Sequence, residues 1–490
     1  MGLVWYRQDK EAVAAALSAG ERPDLATTMS SGPLDELVAL HVELGVFAAL
    51  DAVAVARQRA GLADGLLLHT LAVLPFVSSA GLSGATELLF KEPAILLQLG
   101  WAPVQIRAGS NERHRHPDGR QPASLPCHPD TLRDELRRVA ERTWLQVQQA
   151  GVGVLYDRGY VRGGTYAIDG SGLGDHLRLV CLVCVSGPRP LTVAWRLLEG
   201  DASEKGKEAA VTRELVEQAL ALGGPDCIRL LLADALYADG PLLAWLKYEH
   251  GIDALVRLPA DRNLYADLLG LATGGQVPWT THRSTAVVQG HKQLRTVRCA
   301  AADDLTSWDS FLQAAQGYGV AAAHLWATLI AVQPAPGQEA EEPWALVSTR
   351  PWATGFAALQ AYRSRWHIEN DANREFKEGW GLEAQHWGRD VAALRGRLTL
   401  TLLACNTAQV YRSRVGAQTA GLAIRRLRRQ AAPQLGPTPA IIFLGQCYGV
   451  FALEEVLGLL GARPRESLLP ASPPRAPGSA RPGTPLPASA

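Results

Sequence analysis

At 490 residues, 47% hydrophobic and 20% charged, the chain has apolar material for a large core and more than one domain, which excludes a disordered protein. Lysine plus arginine equals aspartate plus glutamate at 48 each, so net charge offers no argument for nucleic acid and only local clustering could. The longest apolar runs, such as LLLHTLAVLPFV from Leu66, are too short for a membrane span, and MGLVWYRQDK lacks a signal-peptide layout, so a soluble cytoplasmic protein is expected.

From about Pro33 to Leu99 run Ala/Leu-rich segments of helical spacing, such as LDELVALHVELGVFAALDAVAVARQRA, broken at Gly61 and Gly65. They predict an all-helical N-terminal domain over 1–108. A polar His/Arg/Pro-rich stretch follows, and then PDTLRDELRRVAERTWLQVQQAG runs as an amphipathic helix with Asp130 at its N-cap, so 109–164 is a linker loop and connecting helix.

The grammar changes at Thr165. TYAID, LRLVCLVCV and LTVAWRLLEG read as strands, a helix runs from about Glu204 to Leu222, and CIRLLLADALY, a helix from Gly240 and the strand DALVRLP complete 165–260. The alternating segments RSTAVVQG, KQLRTVRCAA and HLWATLIAVQP make 261–343 a β-rich insertion. WALVSTR resumes the core, and over 344–462 GFAALQAYRSRWHIENDANREFKEGW reads as one long helix, with more helices to about Arg429 and from Ile441 to Leu460. The Pro/Ala/Ser/Gly-rich stretch 463–490 reads as a disordered tail.

Seven cysteines, an odd number over a long chain, are no disulfide framework, and the pair Cys181 and Cys184 reads as buried strand rather than a zinc site. Two basic clusters stand out: Arg113, His114, Arg115, His116 and Arg120 in one loop, and Arg425, Arg426, Arg428 and Arg429 near the end. Either suits a solvated surface as well as nucleic acid.

Three carboxylates carry the chemistry. Asp169 ends TYAID and precedes GSGLG, where small residues let another chain come close; alone, Asp-Gly after a strand marks a turn. GSGLG mimics part of a dinucleotide fingerprint, but the next element is a strand where that site needs a helix N-terminus. Asp234 ends the buried run IRLLLAD, where an ionised carboxylate needs a metal or hydrogen bonds; a strand-end N-cap is the alternative. Glu369 shares a helical stripe with Tyr362, Arg365, Asn373 and Phe376, and a helical ion pair with Arg365 is its plainer role. Two Asp at neighbouring strand ends and a Glu on a later helix can converge on two Mg²⁺ ions, hard cations that favour oxygen.

The segments YAIDGSGLG, LLADALYADGPLLAWLKYEHGIDALVRLPADRNL and YRSRWHIENDANREFKEGWGLE together resemble the DDE transposases of bacterial insertion sequences. The resemblance is to the subgroup with a ribonuclease-H-like core, a β-rich insertion before the final Glu and a Tyr-Arg-Glu-Lys signature. It implies an α/β fold with a mixed sheet flanked by helices, and metal ligation by Asp169, Asp234 and Glu369 through two Mg²⁺, with Mn²⁺ as a substitute. It also implies DNA-backbone contacts from Tyr362 and Arg365, and from Arg257. Phe376 takes the place of the signature lysine, and Lys377 follows one residue later. The implied function is metal-dependent cleavage at insertion-sequence ends and 3′-hydroxyl strand transfer into target DNA. A homodimer on paired ends, terminal inverted repeats recognised by the N-terminal helices, and a prokaryotic, nucleoid-associated setting go with it. A relative that binds without cutting, or a nuclease without strand transfer, would carry the same carboxylates.

Overall fold

In the computed structural model the described residues are 6–28, 33–55, 61–77, 81–82, 84–85, 88–102, 105–106, 126–173, 176–203, 209–288, 291–333, 341–368, 373–382, 390–415, 423–431, 440–451, 455–456 and 459. The Arg113–Arg120 cluster, Glu369 and the expected tail 463–490 lie outside them. The chain forms two units, one of Met1–Tyr6 with Thr28–Pro437 and one of Arg7–Thr27 with Thr438–Ala490.

The smaller unit joins the two ends of the described chain. Its sheet has strands Arg7–Gln8 (β1), Leu25–Thr28 (β2), Ala440–Leu444 (β12) and Cys447–Phe451 (β13), in the order β1-β13-β12-β2. The helix Lys10–Ser18 is too short to be stable alone and buries Val13 and Leu17 against Ala440, Ile442 and Phe451. Two expectations are thereby corrected. The first 108 residues are not all helical, because the β-branched end of LATT makes an edge strand, and the segment from Ile441 is a hairpin turned at Gly445, whose φ of +61° is open to glycine at little cost.

The larger unit is a mixed α/β structure built on a nine-stranded sheet. Its strands are Gly164–Gly172 (β3), Leu177–Cys184 (β4), Leu191–Glu199 (β5), Ile228–Ala233 (β6), Asp253–Leu258 (β7), Thr280–Val288 (β8), His291–Leu305 (β9), Leu325–Val332 (β10) and Trp344–Ser348 (β11). They lie in the order β5-β4-β3-β6-β7-β11-β10-β9-β8, with β3, β6 and β7 parallel and every other pair antiparallel. Helices Ala209–Gly223 and Gly240–Ala244 make the crossovers that parallel strands require. This is consistent with the expected ribonuclease-H-like core. Strands β8, β9 and β10 of 261–343 continue the same sheet through β11, with helices Asn263–Thr273 and Asp309–Gly317 between them.

The 24-residue helix Val391–Arg414 is buried almost all round despite its polar sequence, and helices Leu34–Glu43, Asp64–Val73, Pro129–Arg138 and Glu141–Asp157 pack against it together with β5. Helices from Leu34 onward therefore belong to the same unit as the sheet. Their apolar stripes need a partner, and this helix supplies it. Gly396 permits the closest approach, since a Cβ there would come within 2.5 Å of the Trp144 ring. The polar groups are matched locally: the Asn406 amide pairs with Thr192 N at 2.9 Å and Thr192 O at 2.8 Å, covering the edge strand β5 where its register with β4 shifts. Among the described residues no helix is long and apolar enough to cross a membrane.

His41 shows what such matching costs in acid. The Thr407 hydroxyl donates to Leu403 O at 3.0 Å, so His41 donates to Thr407 Oγ1 through Nδ1–H at 2.7 Å and leaves a bare, buried Nε2 with no partner among the described residues. Burial lowers the ring to about 3, because a second proton would be stranded in an apolar pocket beside Phe47 and Phe76. The unfolded ring takes its proton first. Stability from a neutral His41 is therefore complete above pH 6.5 and is lost as pH falls toward 3, at about 1 kcal/mol per pH unit. Urea midpoints measured from pH 6.5 to 4.5 should show this slope in the wild type and a shallower one in His41→Gln.

The two arginine-rich turns of Ile424–Ala431 are not uniformly solvated. Arg428 points inward, donating to Pro75 O at 2.8 Å and to Gly379 O with its guanidinium 5.0 Å from the Trp380 ring, while Arg425 and Arg426 stay exposed. Cys181 and Cys184 are buried thiols in β4, as a strand reading requires.

Candidate active site

Asp169 lies in β3, and Asp234 directly follows β6, the strand hydrogen-bonded beside it. β3 and β6 run parallel and their pairing ends with Ala167 opposite Leu232; continued two positions beyond it, the same register would set Asp169 level with Asp234. Adjacent strands lie about 4.8 Å apart and residues two apart share a face, so that register would put both carboxylates on one side of the sheet, Asp169 within β3 and Asp234 just past the end of β6. Both are half-buried.

Each has a local anchor. Asp234 ends its strand in extended conformation and accepts from Leu236 N at 2.8 Å, capping the tight turn Ala235–Tyr237. The strand-end N-cap role expected as one alternative for Asp234 is thus present. Asp169 pairs with Cys181 across the β3–β4 ladder and accepts from Asn373 Nδ2 at 2.8 Å. Burial, and then the Asp169 charge, push the Cys181 thiol upward, so it is an inert neighbour.

Tyr362 closes the helix Gly355–Tyr362, and Arg365 closes the tight turn Arg363–Arg365 that packs on β3. Tyr362 and Arg365 are 5% and 8% exposed, and the guanidinium lies 5.3 Å from the phenol ring. Burial pushes the Tyr362 hydroxyl up to about 12; Arg365 works against the shift, the Asp234 charge adds to it and Arg257 again opposes it. These influences tie Asp234, Arg257, Tyr362 and Arg365 to one locality. Arg257 lies on β7, exposed, with its guanidinium 5.5 Å from the Trp344 ring, and Trp344 in turn packs 6.2 Å from Tyr362.

The structure does not continue as one regular helix. After Gly355–Tyr362 come the tight turn Arg363–Arg365 and, further on, a π turn at Glu375–Gly379. Buried groups impose this: Phe376 and Trp380 enter the core, and the Glu375 carboxylate accepts from Gln409 at 2.9 Å and Arg412 at 3.1 Å. A π turn takes one residue more than an α turn, and Lys377 sits half-buried inside it.

Periodicity set Asn373 on the stripe of Glu369 without assigning it work, and the structure puts it on Asp169. Trp366 and Leu236, 46% and 36% exposed, flank the site at Arg365 and Asp234, where only burial distinguishes them from ordinary core residues. A second group of potential cation ligands, Asp303, Asp304 and His324, is fully on the surface at the ends of β9 and β10 and includes none of the expected ligands.

No curated protein matches the chain. A family model does: residues 196–407 match the transposase DDE domain. The match opens within β5 and closes within the Val391–Arg414 helix, so it takes in Asp234, Arg257, Tyr362, Arg365, Glu369 and Lys377 and begins after Asp169. Asp169, Asp234 and their basic and phenolic neighbours thus lie in and beside a segment that is similar to the transposase DDE domain.

Proposed function

We propose that the protein cleaves DNA at the ends of an insertion sequence and joins the freed 3′-hydroxyl to target DNA, using divalent cations held by Asp169, Asp234 and Glu369. The observation that supports this is that Asp169 lies on β3 and Asp234 just past the adjacent parallel strand β6, in and beside the segment similar to the transposase DDE domain. The residues fit the group: the donors are carboxylate oxygens, and a buried carboxamide oxygen of Asn373 beside Asp169 has no hydrogen-bond partner among the described residues. Two Mg²⁺ ions, or Mn²⁺, supply an acidified water or 3′-hydroxyl and a stabilised leaving oxygen when bound.

The chain's own residues do the rest. Asp169 and Asp234 are held in place by Asn373 and the Leu236 amide, so the carboxylates are oriented before substrate arrives. Arg365 and Arg257 offer guanidinium N–H groups to a phosphate, and Tyr362, kept protonated by burial, offers its hydroxyl as a donor. Lys377 adds a cation from the π turn, whose additional residue offsets the one-residue shift from the signature spacing. Double-stranded DNA, as inverted repeat and as target, is the substrate, a homodimer on paired ends is the working form, and the prokaryotic cytoplasm and its nucleoid are the setting.

The test is a labelled duplex carrying an element end, incubated in Mg²⁺ or Mn²⁺ with wild type and with Asp234→Ala. Nicked and joined products from the wild type alone are expected. Nicking without joining by precut ends would leave a nuclease, and equal behaviour of both proteins would remove Asp234 from the site.

A further inference from the structure

Asn373 is 7% exposed, and its two amide atoms have unequal fates. Nδ2 donates to Asp169 Oδ2 at 2.8 Å. That orientation is dictated by charge, because a carboxylate accepts N–H and repels a second carbonyl oxygen. Oδ1 is buried and has no hydrogen-bond partner among the described residues. A buried carbonyl oxygen is costly to leave unmatched, and here it belongs to the amide that holds the Asp169 carboxylate. What satisfies an oxygen there is a donor or a cation, and the neighbouring carboxylate is neither.

We infer that Asn373 is a positioning residue of the acidic site, resting on the reading above: its N–H fixes Asp169 Oδ2, while Asn373 Oδ1 receives the divalent cation of that site or a water bound to it. A neutral oxygen donor at this place suits a hard cation and adds no charge to an already doubly acidic site. The carboxamide chemistry matters here, since a hydrocarbon of the same shape would supply neither the N–H nor the oxygen.

Calorimetric titration of the full chain with Mn²⁺, without DNA, separates the possibilities. Asn373→Leu, close in shape, is expected to bind Mn²⁺ about 10–100-fold more weakly than wild type, in the range seen for residues that orient metal ligands. Its metal-free melting temperature should equal or exceed the wild type's, because the unmatched oxygen is gone; a purely structural asparagine would instead lower the melting temperature and leave affinity alone. Asn373→Asp, which restores oxygen but sets a second carboxylate against Asp169, should melt lower without metal and show a larger Mn²⁺-induced rise than wild type. Affinity of Asn373→Leu within twofold of wild type, with binding lost in Asp234→Asn, overturns the role of Asn373 and leaves the acidic site standing. Unchanged binding in Asp234→Asn overturns the site itself and this inference with it.

Discussion

Asp169→Asn is expected to slow metal-dependent cleavage about 10³-fold while DNA affinity stays within about twofold, since cation stabilisation of the reacting oxygens is worth several kcal/mol and each 1.36 kcal/mol is tenfold in rate. The substitution keeps the size and one oxygen of the side chain and removes its charge. The oxygen it keeps can still accept from Asn373 Nδ2, so the contact at this position survives the substitution. Single-turnover nicking of a labelled end, with binding measured separately by gel shift, reads the two quantities apart. The result bears on more than one residue, because Asp169 lies ahead of the segment that matches the transposase domain, on the strand beside β6. Cleavage within tenfold of wild type would mean that Asp169 is a bystander on that strand.

The second large effect is on stability. The Glu375 and Arg412 side chains are 16% and 6% exposed, 3.1 Å apart, with Gln409 Nε2 completing the carboxylate's bonds and Gln409 Oε1 accepting from Arg412. Removing one member of a buried pair leaves the other charge desolvated, and Arg412→Met should lower the unfolding free energy by about 3–5 kcal/mol. Replacing both partners, as Glu375→Gln with Arg412→Met, removes the stranded charge and should recover much of that loss. Urea unfolding of the two single variants and the double variant measures it; a double variant as unstable as the sum of its singles would show that the pair is not coupled. Because Glu375 opens the π turn that carries Lys377, the single variant should also loosen that turn.

The strand order of the core is legible because its strands are short apolar runs such as LRLVCLVC, separated by segments of helical period, and local pattern is what period reports. That β3 and β6, the strands of Asp169 and Asp234, lie side by side and parallel was not legible, because strand pairing is a non-local fact. The break of the Tyr362–Gly379 region into a tight turn and a π turn was not legible, since Phe376, Trp380 and Glu375 are set by a helix that begins at Val391. Polar residues of that helix, Arg397, Thr401, Asn406 and Gln409, read as a surface in sequence and are buried because four helices, a tight turn and β5 pack around them. Likewise AIIFL and CYGVF have a period that suits either helix or strand, and the pairing of Arg7 with Cys447 decides it.

That pairing imposes a waiting time on the newborn chain. β1 leaves the ribosome early and its partner β13 is made 440 positions later, so at usual synthesis rates of about 5–20 residues per second the first strand stays without its neighbour for roughly 20–90 s. The nine-stranded sheet can be complete well before then, and the small unit is closed last. Interruption of the message before β13 would therefore yield a protein with a finished nine-stranded sheet and β1 without that neighbour, and a nascent-chain protease assay would see residues 7–27 protected only after β13 emerges.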